Sequence, residues 1–291
     1  MLQKVPGLKM SSKHIVTSSL KESFLLIKKN KRIFLLIFVL QILFFSLIIM
    51  ANAYYIPQIL QSTKDVIDYA EALNINPQTA NIDILQKKNP LGDDPLLISR
   101  NYNEIIKNSL FLLLSVFAVF ALVNGLVWYL ASNIEKSKSL KSLFSLKNLL
   151  SYLLRFFAVA MVLSAFLYIF AYNLVNIAFS SFLSVKPVNF IPLLLMAIVV
   201  IYFIYILMPI LDKIKLISLA KSSFSIGTKN FIPVIISYLI ILILIIACLF
   251  LVFYLIELNL FLLLIAVLLS IFVFAWAKIY FSIVVKKLSG L

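Results

Sequence analysis

Few residues in this 291-residue chain have types and spacings that could do chemistry. The one histidine, His14, sits in a basic segment with neither a nucleophile nor an acid at useful spacing, so it reads as an ordinary surface side chain. Cys248 falls inside an apolar run and reads as a small packing residue. Asp65 and Asp68 stand three apart on an expected helix, and Asp93-Asp94 follows Gly92 in a turn. Their oxygens suit a hard cation, but the spacing of a calcium loop is missing, and a solvated charged face is the expectation. No H-E-x-x-H or G-x-S-x-G string occurs, and five glycines form no phosphate cradle. The sequence therefore predicts no enzyme, no metal and no cofactor.

Two groups of residues remain. The first is basic: Lys21, Lys28, Lys29, Lys31, Arg32, Lys141, Lys147, Lys221 and Lys229 precede apolar runs, where ammonium and guanidinium groups can meet anionic lipid headgroups. The second is Pro209 with Asp212. Proline inside an apolar run removes a backbone donor and predicts a kink, and the carboxylate three residues on can cap the helix that follows.

The elements that carry these groups follow from composition. With 63% hydrophobic and 13% charged residues, the chain is far more apolar than a soluble domain, which has about 25% charged residues. A helix crossing the hydrocarbon core needs about 20 apolar residues. Six such runs occur, at 33–54, 110–131, 156–178, 190–211, 231–256 and 260–285. They lack the alternation of barrel strands, so the expected fold is all-α and polytopic, with six transmembrane helices.

Lysine and arginine divide unevenly between the two sides, 20 against six. The positive-inside rule then places both termini in the cytoplasm. A net charge of +15 gathered at the ends of apolar helices points to membrane lipids and other membrane proteins as the expected partners rather than nucleic acid. Tyr54 and Tyr55, Trp128 and Tyr129, and Trp276 and Tyr280 read as interfacial anchors. Arg155, Asp212, Glu257 and Lys278 all read as end-of-helix charges reaching back to water. Mid-span Gln41, Asn124, Ser164 and Ser270 read as helix glue. Large Leu, Ile and Phe side chains are expected to hold the helices together.

Short segments of similar wording precede each odd-numbered span. Each holds K-x-x-F and then Lys-Asn: Lys21 with Phe24 and Lys29-Asn30, Lys141 with Phe144 and Lys147-Asn148, Lys221 with Phe224 and Lys229-Asn230. Leu20, Phe24 and Ile27 share one helix face, as do Ile217, Ala220 and Phe224, which predicts amphipathic elbow helices in the headgroup plane. Three repeats of elbow plus two-span hairpin follow. The domains expected are a basic segment with its elbow at 1–32, a membrane domain at 33–291 and an extracytoplasmic loop or cap at 55–108. The first half of that loop has helical spacing, from Ile56 to Leu73.

The string at 208–240 resembles a pattern in uncharacterised six-span membrane families of bacteria and archaea, among them the membrane domain found fused to glycerophosphodiesterases. Pro209, Asp212, Ala220, Ser223, Phe224, Ile226 and Asn230 carry the likeness. It implies a six-span fold and no chemistry, since no phosphodiesterase domain accompanies it. Mitochondrial carriers also show threefold two-span repeats, but their P-x-D/E-x-x-K/R motif is absent.

Two functions fit these expectations. One is a non-enzymatic scaffold or partner- and lipid-binding subunit of the plasma membrane. The other is a permease-like protein for a neutral or mostly apolar solute. A packed interior favours the first and a polar cavity the second.

Overall fold

The computed structural model describes residues 12–72, 94, 96–135, 145–184, 191–212 and 216–290, with backbone alone at 12, 13, 70, 174–184, 216 and 217. Every regular element among them is helical. In order they are α1 (Ser12–Lys29), α2 (Lys31–Ala72), α3 (Leu97–Val119), a π-turn (Phe120–Asn124), α4 (Gly125–Asn133), α5 (Leu146–Ser184), α6 (Ile191–Leu207), a 3-10 turn (Met208–Ile210), α7 (Leu216–Lys229), α8 (Phe231–Leu255) and α9 (Leu260–Ser289). Six stretches are long and apolar enough to cross a bilayer. The chain is an all-α integral membrane protein.

The first span is longer than a bilayer crossing requires. At about 1.5 Å per residue, the 42 residues of α2 reach about 63 Å, twice the hydrocarbon thickness. The helical spacing in the first half of the loop expected at 55–108 is thus a continuation of that helix. Residues 73–93 and 95, with Asp83 and Asp93, lie outside the described residues.

The chain divides into two compact units, residues 44–119 and residues 1–43 with 120–291. In the smaller unit, Tyr55 of α2 stacks on Phe111 of α3 at 6.4 Å. The Asp94 backbone N–H donates to the Tyr69 hydroxyl at 3.2 Å, which fixes the start of α3 beside α2.

In the larger unit, asparagines break the chain where the elbows were expected. The Asn30 N–H donates to Leu26 O at 2.8 Å, and its carbonyl accepts from Ile33 and Phe34. Asn230 repeats the arrangement, donating to Ile226 O at 3.0 Å and accepting from Val234. Each asparagine therefore ends one helix and begins another within a single residue. The middle copy differs: residues 136–144, with Lys141 and Phe144, lie outside the described residues, and Lys147-Asn148 falls inside the first turn of α5. At the far end, the Asn259 side chain accepts from Phe261 and Leu262 N–H and caps α9, while Gly290, at φ 68°, closes it in the left-handed region.

The core of this unit sits at the end of the spans that bears the elbows. Trp128, Tyr152, Phe156, Tyr280 and Phe281 are all under 2% exposed. Rings run in a chain from Trp128 to Tyr205 (5.4 Å), Tyr205 to Tyr238 (5.9 Å) and Tyr238 to Phe281 (4.7 Å). Their hydroxyls bond to carbonyls and a serine: Tyr238 to Tyr202 O, Tyr202 to Gly227 O and Tyr280 to Ser237 Oγ. A buried ring with a satisfied polar tip contributes apolar area without leaving an orphaned donor.

This arrangement corrects the reading of the aromatic belt. Trp128, Tyr129, Trp276 and Tyr280 are buried in protein, not anchored in a lipid interface, whereas Tyr54 is 63% exposed. The helices are also held more closely than large interlocking side chains alone allow. A Cβ on Gly227 would lie 2.7 Å from the Phe203 ring, so α7 approaches α6 only because that position is glycine.

Candidate functional site: a buried lysine between two amides

Lys278 lies 18 residues into the sixth span and is 7% exposed. Its ammonium does not reach back to water, as its sequence position had suggested. Nζ donates to Gln41 Oε1 of α2 at 2.8 Å and to Asn124 Oδ1 at the end of the π-turn. The Trp128 ring of α4 lies beside it, 6.0 Å from ring centroid to Nζ. Oxygen dipoles and a π-face thereby replace water around an amine whose burial without partners would be very costly.

The π-turn makes this meeting possible. Asn124 is buried immediately before Gly125, where a Cβ would come within 3.0 Å of the Phe156 ring on α5. The second span can press against α5 there and turn its amide toward Lys278.

Two further lysines extend the hold of α9. Lys286 is 6% exposed, donates to Ser132 O and lies 3.8 Å from Glu135. It thus places positive charge at the carbonyl end of α4, where the helix dipole favours it. Lys287 pairs with Glu22 of α1 at 2.5 Å and donates to Ser18 Oγ at 3.2 Å. Trp276 Nε1 donates to Ser23 Oγ at 3.0 Å, and the Asn30 side chain donates to Ile134 O at 3.0 Å. Between the two inward lysines, at i+4 from Lys278, stands Ser282, whose buried hydroxyl has no hydrogen-bond partner among the described residues. Spans one, two and six and the first elbow are tied through one helix.

The elbows turn toward the protein a different face from the apolar stripe that carries Phe24 and Phe224. On α1 the buried residues are Val16, Ser19 and Ser23, while Leu20 and Ile27 are half-buried and Phe24 is 50% exposed. On α7 they are Leu219, Ser223 and Ile226, with Ser223 Oγ donating to Phe203 O at 2.7 Å and Phe224 exposed. Small hydroxyl-bearing residues face the protein because they let the elbow lie close against it. The phenylalanines face outward.

Lys21, Lys28, Lys29, Lys31, Arg32, Lys147, Lys221 and Lys229 are all exposed. Pro209 is buried in the 3-10 turn that ends the fourth span. Two carbonyls around it are satisfied from α5: Tyr152 Oη donates to Met208 O at 3.0 Å and Arg155 to Leu211 O at 2.8 Å. Asp212 follows in a turn, within electrostatic range of the Tyr129 and Tyr152 hydroxyls. α7 is described from Leu216, and the expected capping of that helix by Asp212 involves 213–215, which lie outside the described residues.

Two of the acidic loop residues are engaged locally. Asp65 accepts from Gln61 at 2.7 Å, and Asp94 pairs with Arg100 at 2.7 Å. Among the described residues no group of three His, Cys, Asp or Glu side chains gathers. His14 is exposed and Cys248 buried.

Reasoning from sequence marked Gln41 and Asn124 as glue and missed their partner. A signal was present: after Lys278 come seven residues without charge before Lys286, about 12 Å of helix, too far in for an end-of-helix cation. Comparison with family models, with curated proteins and with solved structures finds no match.

Proposed function

We propose that this integral membrane protein is a non-enzymatic scaffold, a partner- and lipid-binding subunit of the plasma membrane with both termini in the cytoplasm. The observation that carries this reading is the filled interior at the elbow end, where Trp128, Tyr152, Phe156, Tyr280 and Phe281 are almost wholly buried. A solute path needs polar, water-accessible surface, and packed rings offer none. The excess of positive residues on one side supports the orientation. Kinship with the six-span families that 208–240 resembles is part of the same proposal, since the 3-10 turn, α7 and the start of α8 occupy that string.

A permease-like role is the second reading, favoured by one observation. Ionisable residues at membrane depth commonly line pathways, and π-turns cluster at functional sites; Lys278 and Asn124 combine the two.

Cysteine accessibility separates the readings. In a Cys248→Ser background, Ser237→Cys and Ser282→Cys place thiols at positions no more than 1% exposed. A scaffold leaves both unmodified by a membrane-impermeant methanethiosulfonate added to either side of sealed vesicles. Modification of either thiol establishes a water-filled route and favours the permease.

A further inference from the structure

The first elbow joins three features that the third shares only in part. Four cations, Lys28, Lys29, Lys31 and Arg32, surround the Asn30 break within five positions, and all are exposed. Beside them Phe24 and Leu25 are 50% and 66% exposed. The apolar run of the first span begins at residue 33. A helix entering the hydrocarbon there places the cations at phosphate depth and the two apolar side chains at the acyl boundary. Position along the chain therefore selects a lipid surface as the occupant, and charge selects an anionic one.

The elbow is also held in a set orientation. Glu22, its one carboxylate, is engaged by Lys287, so it does not offset the cation cluster. Ser23 accepts from Trp276, and the Phe24 ring stacks on the same indole at 5.6 Å and 23°. With Val16, Ser19 and Ser23 turned inward, Leu25 and the uncovered half of Phe24 are left on the outward side. The third elbow, α7, has the matching Phe224 on Phe203 at 5.2 Å but only Lys221 and Lys229 as cations among its described side chains.

We infer that the α1–α2 elbow is a fixed binding surface for anionic phospholipid headgroups, with Lys28, Lys29, Lys31 and Arg32 on phosphate oxygens, Phe24 and Leu25 in the acyl boundary, and Glu22 and Ser23 as positioning residues held by α9. Arg32 can take a phosphate through two N–H groups at once, which lysines cannot. This deepens the lipid-binding side of the proposed function. Lipid affinity and thiol accessibility are separate readouts, so either proposal can fail alone.

The test is native mass spectrometry of the full chain in detergent, titrated with dioctanoyl-phosphatidylglycerol or dioctanoyl-phosphatidylcholine. Each near-surface cation contributes on the order of fivefold in affinity. Exchanging Lys28, Lys29, Lys31 and Arg32 for Gln therefore weakens the tightest phosphatidylglycerol site by on the order of a hundredfold or more, and leaves phosphatidylcholine unchanged. The same exchange at Lys221 and Lys229 leaves that site in place. Glu22→Gln adds a positive charge to the net balance yet loosens the elbow, so phosphatidylglycerol binds more weakly. Equal losses for the two lipids, equal losses in the two lysine variants, or tighter binding in Glu22→Gln overturns the inference.

Discussion

Lys278 and Asn124 lie 154 residues apart in the chain and meet inside the bundle, the ammonium donating to the amide oxygen where the second span widens into a π-turn. Gln41 supplies the second acceptor from the first span. A buried cation held by side chains from three elements makes their packing interdependent, because loss of any one leaves a polar group without its partner.

That dependence is measurable as a coupling. Asn124→Leu in the native background should cost about 1–3 kcal/mol, since it deprives a buried ammonium of an acceptor. In a Lys278→Met background, where no cation remains, the same change should cost clearly less. Thermal unfolding in one detergent for the wild type, both single variants and the double variant gives the cycle. Identical losses in the two backgrounds would mean that the two side chains do not stabilise one another.

The two lysines at the end of α9 should differ in weight despite being neighbours. Lys286 is buried against the carbonyl end of α4, whereas Lys287 and Glu22 are about a third exposed. An exposed pair contributes about 0–1 kcal/mol, and truncating a buried charged donor costs about 1–3 kcal/mol. Lys286→Met should therefore lower the melting temperature more than Lys287→Met, and the reverse order contradicts the assignment.

Gly227 and Gly125 offer a graded test of close packing. A Cβ at Gly227 would come 2.7 Å from the Phe203 ring and 3.0 Å from Ile206, while at Gly125 the nearest atom is the Phe156 ring at 3.0 Å. Overpacking of this kind costs about 1–3 kcal/mol. Gly227→Ala should be the more destabilising of the two, checked by the same thermal assay; an unchanged melting temperature would show that α6 and α7 can part without loss.

Orientation can be tested at exposed positions. Ser62 is 5% exposed, so Lys64, exposed two residues later, is the reporter on α2. With Cys248 replaced by Ser, Lys64→Cys should react with an impermeant maleimide from outside intact cells, and Lys221→Cys only after permeabilisation. The opposite pattern inverts the topology that the positive-inside rule assigns.

What the amino-acid sequence determined by itself was the set of spans, their helical nature and the helical continuation of the first one past residue 55. Each rests on a local requirement: enough consecutive apolar residues to cross hydrocarbon, and helical spacing that runs on after them. Which face of each span meets protein was decided only by tertiary structure. In α8 and α9 lipid-facing and protein-facing positions are alike apolar, so periodicity does not separate them. For that reason Trp128 and Trp276 read as interfacial anchors until packing buried them, and Lys278 as a charge that reaches water. A π-turn has no composition of its own, and the contact that holds it at Asn124 comes from a helix more than 150 residues away. No local pattern records such a partner, because the cost of burying the amine is offset only once three separate spans have come together.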